Sequence, residues 1–206
     1  MPYGFLVETY ETERLKTLSV WSMFGEADLE VRPHPTDPRG RSVREQMVHQ
    51  CVSEDLWFQR MLGIDVGAPA PPLPEREDRA GFLRRFAADS GRRAAALRAR
   101  AADDPWWEAE VAFFDVARPR TWVMVRRIAH SAHHRGQLTA MLRQLGRDLH
   151  STYGPTADTG GLAASHAPTI YAYPGVDELL ADAEAGAARS PLPGAGGRPV
   201  TERPGR

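Results

Sequence analysis

The residues able to bind a metal ion or move a proton gather in one short run, His130-Ser131-Ala132-His133-His134-Arg135-Gly136-Gln137-Leu138. On an α-helix each residue turns by about 100°, so residues four apart share a face, one turn above the other. That spacing sets the imidazoles of His130 and His134 side by side, a geometry that suits one shared metal ion. His133 falls to the side, and Gln137 returns to the His130 face. Apolar residues flank the run: Trp122, Val123, Val125 and Ile128 before it, Met141, Leu142 and Leu145 after it. A helix apolar nearly all round is expected at the centre of a fold. Buried imidazoles need partners for their ring nitrogens. A metal ion is one answer; hydrogen bonds to core carboxylates or carbonyls are the other.

The elements that would carry these groups are helical. A helical period runs from about Leu6 to Phe24 through Leu6, Tyr10, Leu15, Leu18, Trp21 and Met23, with Gly25 as its stop. Three prolines between Val31 and Gly40 exclude helix there, and His34, in that loop, reads as an ordinary surface histidine. Ser42 followed by Glu45 is a capping box that opens a second helix, which runs to about Leu62 and stops at Gly63. Its apolar stripe is Val43, Met47, Cys51, Phe58 and Met61; His49 lies roughly opposite, with Val52 and Leu56. Cys51 sits about 200° around the helix from His49, so the two cannot share a metal, and Cys51 reads as a small buried hydrophobe.

A proline-rich connector covers Gly67 to Pro74, and a third helix follows from about Asp78 to Ala102. Gly91 near its middle costs that helix about 1 kcal/mol against alanine. The stretch from Trp106 to Val116 is short, aromatic and partly alternating, and reads as an extended segment or a two-stranded ribbon over one end of the bundle. Its aromatics read first as packing and second as ligand contacts. Pro119 suits the first turn of the fourth helix, which carries the histidines and ends at Leu145-Gly146. A loop from Asp148 to Pro168 and a short helix from Asp177 to Ala185 follow. From Gly186 onward Gly and Pro dominate without periodicity, so residues 186–206 are expected to be a disordered tail, dispensable for stability, behind a domain spanning 1–185.

Composition narrows the functions. The formal net charge of −1 offers no electrostatic case for nucleic acid or an anionic membrane. Lys16 is the only lysine, which argues against Schiff-base chemistry, and asparagine is absent. The arginine-, alanine-, glycine- and proline-rich composition reads as the codon bias of a GC-rich bacterial genome. With Cys51 as the sole cysteine, no intrachain disulfide can form. No export signal or membrane-length apolar run is visible, so the expected location is the cytoplasm.

The run from Arg118 to Gly161, with His130-Ser131-Ala132-His133-His134-Arg135-Gly136-Gln137-Leu138, Leu145-Gly146 and Tyr153-Gly154-Pro155, resembles the DinB/YfiT-like family of bacterial metal-binding four-helix bundles. The helix from Ser42 to Leu62 with His49 is similar to that family's second helix. The resemblance extends from Met1 to about Leu180. It implies an all-α four-helix bundle of non-standard topology, commonly a homodimer, with His49, His130 and His134 as metal ligands and water or substrate completing the shell. Three neutral imidazoles with an open position are the pattern of a catalytic rather than a structural zinc site, and nickel suits the same donors. Glu45, one turn before His49, has two readings: helix cap, or a group that orients His49 or acts as base. Gln137 is placed to hydrogen-bond a water on the metal.

Three functions fit. The first is a metal-dependent S-transferase that joins a low-molecular-weight thiol cosubstrate to a small electrophile, the metal lowering the thiol's pKa. The second is a metal-dependent hydrolase with Glu45 as base. The third is a non-catalytic, stress-related metal- or ligand-binding protein.

Overall fold

The computed structural model describes residues 2–70, 77–185 and 189–202. Residues 71–74 of the expected connector, and 186–188 and 203–206 of the expected tail, lie outside the described residues.

Four long helices form the bundle: α1 (Gly4–Ser22), α2 (Val43–Trp57), α3 (Arg79–Ala99) and, after a short α4 (Asp104–Glu108) and a hairpin of β1 (Glu110–Phe113) and β2 (Val116–Pro119), α5 (Arg120–Gln144). A shorter α6 (Val176–Ala185) lies against α1 and α3. Helix α1 packs on both α3 and α5, and α2 packs on α5.

The central helix is α1 rather than α5. Residues Thr17 to Ser22 are buried without interruption, because α3, α5 and α6 cover that half of α1 from several sides. Helix α5 has one open face instead, with Trp122 and Val125 exposed at 40% and 52%. The apolar residues ahead of the histidines therefore do not signal burial all round, as the flanking pattern had suggested.

Local signals account for the helix ends. Ser42 Oγ accepts from Glu45 N–H (3.2 Å) and Ser42 N–H donates to Glu45 Oε2 (2.8 Å), the expected capping box at the start of α2. One π-helical stretch, Phe58–Leu62, extends α2 to Gly63, whose φ of 67° ends it in the left-handed conformation that glycine tolerates best. Asp78 caps α3 by accepting from Gly81 N–H. Gly91 does not break α3; it makes room for Arg14, since a Cβ there would stand 3.0 Å from the guanidinium. Arg14 uses that space to donate to Ser90 Oγ (2.8 Å) and the Ala87 carbonyl (2.9 Å), tying α1 to α3.

The aromatic stretch divides. Asp103 caps a helical turn that takes up Trp106 and Trp107, and the ribbon begins only at Glu110, pairing antiparallel from Glu110↔Pro119 to Phe113↔Val116. Pro119 stands at the N-cap of α5 rather than inside its first turn. Segment 189–199, part of the expected tail, lacks regular secondary structure but makes hydrogen bonds to the rest of the chain. Arg189 donates to the Ser22 carbonyl and to Tyr173 Oη, Ser190 N–H to the Ala172 carbonyl (3.2 Å), and Gly194 N–H to the Asp158 carbonyl (2.8 Å). Without periodicity, a segment can still dock through backbone groups, which composition does not reveal.

The core has two apolar clusters. One joins Leu18 to Phe24 with Met47, Phe82, Leu83, Leu138 and Leu142; the other joins Leu6, Tyr10, Trp57, Phe58, Leu97, Val123 and Met124. Between them, every long helix contributes buried polar residues: Glu13 and Thr17, Ser53 and Glu54, Ser90 and Arg93, Arg127, Ser131, His134 and Arg135. Glu54 is the hub. It accepts from Tyr10 Oη and lies 3.7 Å from Arg93 and 3.4 Å from Arg127. Arg127 also donates to Ser53 Oγ and Ser131 Oγ, both at 3.2 Å. Buried charges survive only when paired and hydrogen-bonded, so this layer fixes how α1, α2, α3 and α5 are set against one another.

Candidate metal centre

The polar layer positions the histidines. Ser53 follows His49 by one turn on α2, and Arg127 and Ser131 bracket His130 on α5. The Arg127–Ser53 and Arg127–Glu54 contacts therefore set the register of α2 against α5 one turn from the site. In that register His49, His130 and His134 converge, with one nitrogen from each ring lying within 4.8 Å of the other two. Ring centroids are separated by 5.5 Å (His49–His130), 4.7 Å (His49–His134) and 4.5 Å (His130–His134). This is the one such cluster of three or more ligating groups among the described residues.

His134 is held most firmly. Its Nδ1 is 2.8 Å from Gln46 Oε1 and 3.0 Å from Gln137 Oε1, so Nδ1 carries the proton and Nε2 presents a bare lone pair. That Nε2 stands 3.2 Å from His130 Nε2. Two lone pairs cannot face each other at this distance without a proton or a cation between them. A third imidazole beside them makes the donor set fit a divalent metal ion. His130 Nδ1 is buried without a hydrogen-bond partner.

Electrostatics keep the three rings neutral. Burial, then Arg127 and the neighbouring histidines, hold His130 down to about 3. Burial and then His49 hold His134 down to about 4, against the opposing hydrogen bond from Gln137. Burial, Arg41 and Arg127 lower His49. Neutral imidazole is the form that ligates a metal.

The centre opens into a cleft of about 370 Å³ lined by Arg41, His49, Arg126, Ala129, His130, His133 and His134. A wider recess of about 560 Å³ elsewhere, against Arg79, Arg147, His150 and Arg189, gathers no comparable set of ligating groups. Beside the centre, Trp57 stands 5.7 Å from His130; Phe113 packs edge-on against Trp57 at 5.3 Å, and Trp122 against Phe113 at 4.9 Å. Of the ribbon's aromatics, Phe113 thus reaches the centre through Trp57, and Phe114 reaches only Phe113. Trp107 is buried with its indole N–H on the Arg100 carbonyl, a packing role.

Glu45 and Gln137, the two residues with expected catalytic roles, are both engaged by neighbouring side chains. Glu45 puts one carboxylate oxygen on Arg32 Nη2 (2.6 Å) and the other on Arg32 Nη1 (2.7 Å) and Ser42 N–H. Arg32 holds its carboxyl below the usual range. The capping reading is the one the structure displays, and Glu45 is not among the clustered ligating groups. Gln137 accepts from His134 and from Gln46 Nε2 (3.0 Å), and its own amide lies 3.1 Å from His133 Nε2. These contacts make it a positioning residue for His134. Cys51 is buried with its thiol pushed well up by burial and by Glu54, away from the centre as expected.

Sequence reasoning missed Gln46, which precedes His49 by three residues and so shares its side of α2. It also missed Arg127, whose place three residues before His130 was the available signal, and Arg41 and Arg126, which composition had absorbed into a general arginine bias.

A helical bundle with three converging neutral histidines at the mouth of a cleft defines a class of protein equipped to hold a metal ion. The sequence profile of the DinB family matches residues 6–161, and the chain belongs to that family. Three solved structures share its fold. A DinB-like protein of Bacillus cereus is 16% identical, with 72% of this chain and 95% of that one covered, at a TM-score of 0.61. A DinB-like protein of Bacillus subtilis is 13% identical, covering 70% and 94%, at 0.55. YfiT of Bacillus subtilis, described as a probable metal-dependent hydrolase with an unusual four-helix bundle topology, is 19% identical, covering 71% and 89%, at 0.52. No curated protein matches the chain in sequence. Among the described residues no helix is long and apolar enough to cross a membrane.

Proposed function

We propose that the protein is a metal-dependent S-transferase that joins a low-molecular-weight thiol to a small electrophile, with zinc or nickel held by His49, His130 and His134. When bound, the ion supplies Lewis acidity that lowers a thiol's pKa, so that a thiolate is available at neutral pH. One observation carries the choice of chemistry: no carboxylate among the described residues lines the cleft, and Glu45 is held by Arg32 and the helix cap. A metal ion would lower the pKa of bound water and of a bound thiol alike, each losing its proton to solvent. The thiol starts several units more acidic, so in a cleft without a carboxylate base it is the easier of the two to hold as its anion at neutral pH. The chain's own residues orient the ligands: Gln46 and Gln137 fix the His134 tautomer, and the buried Arg127 pairings hold α2 against α5.

The reading also places the protein in the cytoplasm as a homodimer, to be checked by fractionation and light scattering. Its assay follows loss of thiol against a fluorogenic alkyl chloride, using protein purified without a metal-affinity tag. Turnover that needs both metal and thiol and vanishes in His134→Ala supports it. Thiol-independent ester cleavage would instead favour hydrolysis, the reading that the description of YfiT supports. Stoichiometric metal with neither activity would leave a non-catalytic binding protein.

A further inference from the structure

We infer that the ligand of this centre is an anion: a small molecule whose carboxylate, or equivalent anionic group, is recognised by Arg41 and Arg126 beside the three histidines. The inference rests on the reading of the histidines as a metal centre and adds the charge of what they take.

Arg126 precedes His130 by four residues and His133 by seven, so it shares their face of α5 and lines the same cleft. Arg41, immediately before the Ser42 cap of α2, lines the same cleft as His49. Neither guanidinium has an ion-pair or hydrogen-bond partner among the described residues, and both side chains are exposed. Several arginines elsewhere are matched to carboxylates, among them Arg32 to Glu45, Arg93 to Asp55, Arg135 to Glu13 and Arg147 to Asp28.

The contrast matters because the chain as a whole is not basic; its net charge is −1. The cleft is a local concentration of positive charge, with no acidic side chain among the described residues in its lining. A divalent ion on the histidines would add to it. Two like charges beside a cationic centre repel one another; Glu45, near enough to feel Arg41, is already bound by Arg32, and no carboxylate among the described residues lines the cleft to offset them. A clefted field of one sign attracts the opposite charge and raises its local concentration. A guanidinium fork matches a carboxylate with two parallel hydrogen bonds, which makes it selective as well as attractive. A neutral ligand would use neither group.

The test uses full-length protein loaded with cobalt, first checked for one ion per chain, and a pair of thiol probes, one anionic and one neutral: 3-mercaptopropionate and its methyl ester, with the double variant controlling for their different thiol acidity and chelation. Sulfur ligation is read from the near-ultraviolet charge-transfer band, in wild type and in the Arg41→Gln/Arg126→Gln protein. Oxalate, followed through the visible cobalt bands, gives a sulfur-free reading. Wild type is expected to bind the acid at least tenfold more tightly than the ester. The double variant should bring the two within about twofold, leave the ester's affinity unchanged, and weaken oxalate by at least tenfold. Equal binding of acid and ester by wild type would overturn the inference while leaving thiol ligation intact. If neither thiol gives a band, the S-transferase reading fails and oxalate decides: equal affinity in both proteins overturns the anion site, and a tenfold loss sustains it. Failure to take up cobalt would overturn both. Unchanged melting temperature in the double variant excludes misfolding as the cause of any loss.

Discussion

His134 has one N–H to give and two acceptors waiting for it, which makes the outer layer of the centre redundant in a measurable way. Gln46 Oε1 lies at 2.8 Å and Gln137 Oε1 at 3.0 Å from Nδ1. Gln46→Leu keeps the buried volume and removes one acceptor; Gln137→Ala removes the other. With one acceptor left, the ring keeps its tautomer, and each single variant should lose zinc affinity by about threefold, or about 0.7 kcal/mol. With both gone, Nδ1–H is left without a partner next to a ligating nitrogen. Loss of the outer partner of a metal-bound histidine costs about 10- to 100-fold, and the upper end, about 2.7 kcal/mol, is expected here. Two singles of about 0.7 kcal/mol add to about 1.4, so the cycle should show about 1.3 kcal/mol of coupling. Competition against a chromophoric chelator measures all four proteins, with thermal melts to verify folding. Strict additivity, or a double variant that binds as wild type does, would show that His134 is not oriented through Nδ1 and would refute the reasoning.

Further outcomes follow from the same geometry. Replacing His130 or His134 by alanine should abolish stoichiometric metal, while His133→Ala should retain it; equal loss, by elemental analysis, would put the centre on the wrong face of α5. In the unfolded chain these histidines titrate near the ordinary value of about 6.5, but His130 and His134 are held at about 3 and about 4 when folded. The unfolded chain thus binds more protons in that window. The stability of metal-free protein should be greatest above pH 6.5 and decline as pH falls towards 4, less so in His134→Gln; urea melts at pH 7.5 and 5 read this. Glu54→Gln leaves Arg93 and Arg127 buried without their shared counter-charge and should cost about 3–5 kcal/mol, visible as a large drop in melting temperature. Ending the chain after residue 188 removes the bonds from Arg189, Ser190 and Gly194 and frees His150 from the Ser190 carbonyl. At about 0.5–1.5 kcal/mol each, several degrees of melting temperature should go; an unchanged melt would restore the expectation of a dispensable tail.

What the sequence determined by itself was set within single helices. The pairing of His130 with His134 follows from the turn angle of one helix, and that angle also puts Cys51 on the far side of α2 from His49. Ser42 and Glu45 announce their own capping box, and Gly63 its own stop. These depend on groups three to five residues apart, whose relative positions the backbone fixes before any packing occurs. Resemblance to the DinB family added His49 as the partner from another helix; on its own, a lone histidine on α2 would have been weak.

Tertiary structure alone decided what met across helices. Gln46 faces His134 across 88 residues of chain, and Glu54 meets Arg93 and Arg127, because four helices settle in one register. That register follows from the polar layer finding partners, a condition on all the helices at once. Arg32 reached back from the loop to claim Glu45 and with it the candidate base. The backbone of a segment read as disordered found partners on Ala172 and Asp158. Long-range pairings of this kind leave no periodic trace in the sequence, since a hydrogen bond or ion pair depends on position in space and not on spacing along the chain.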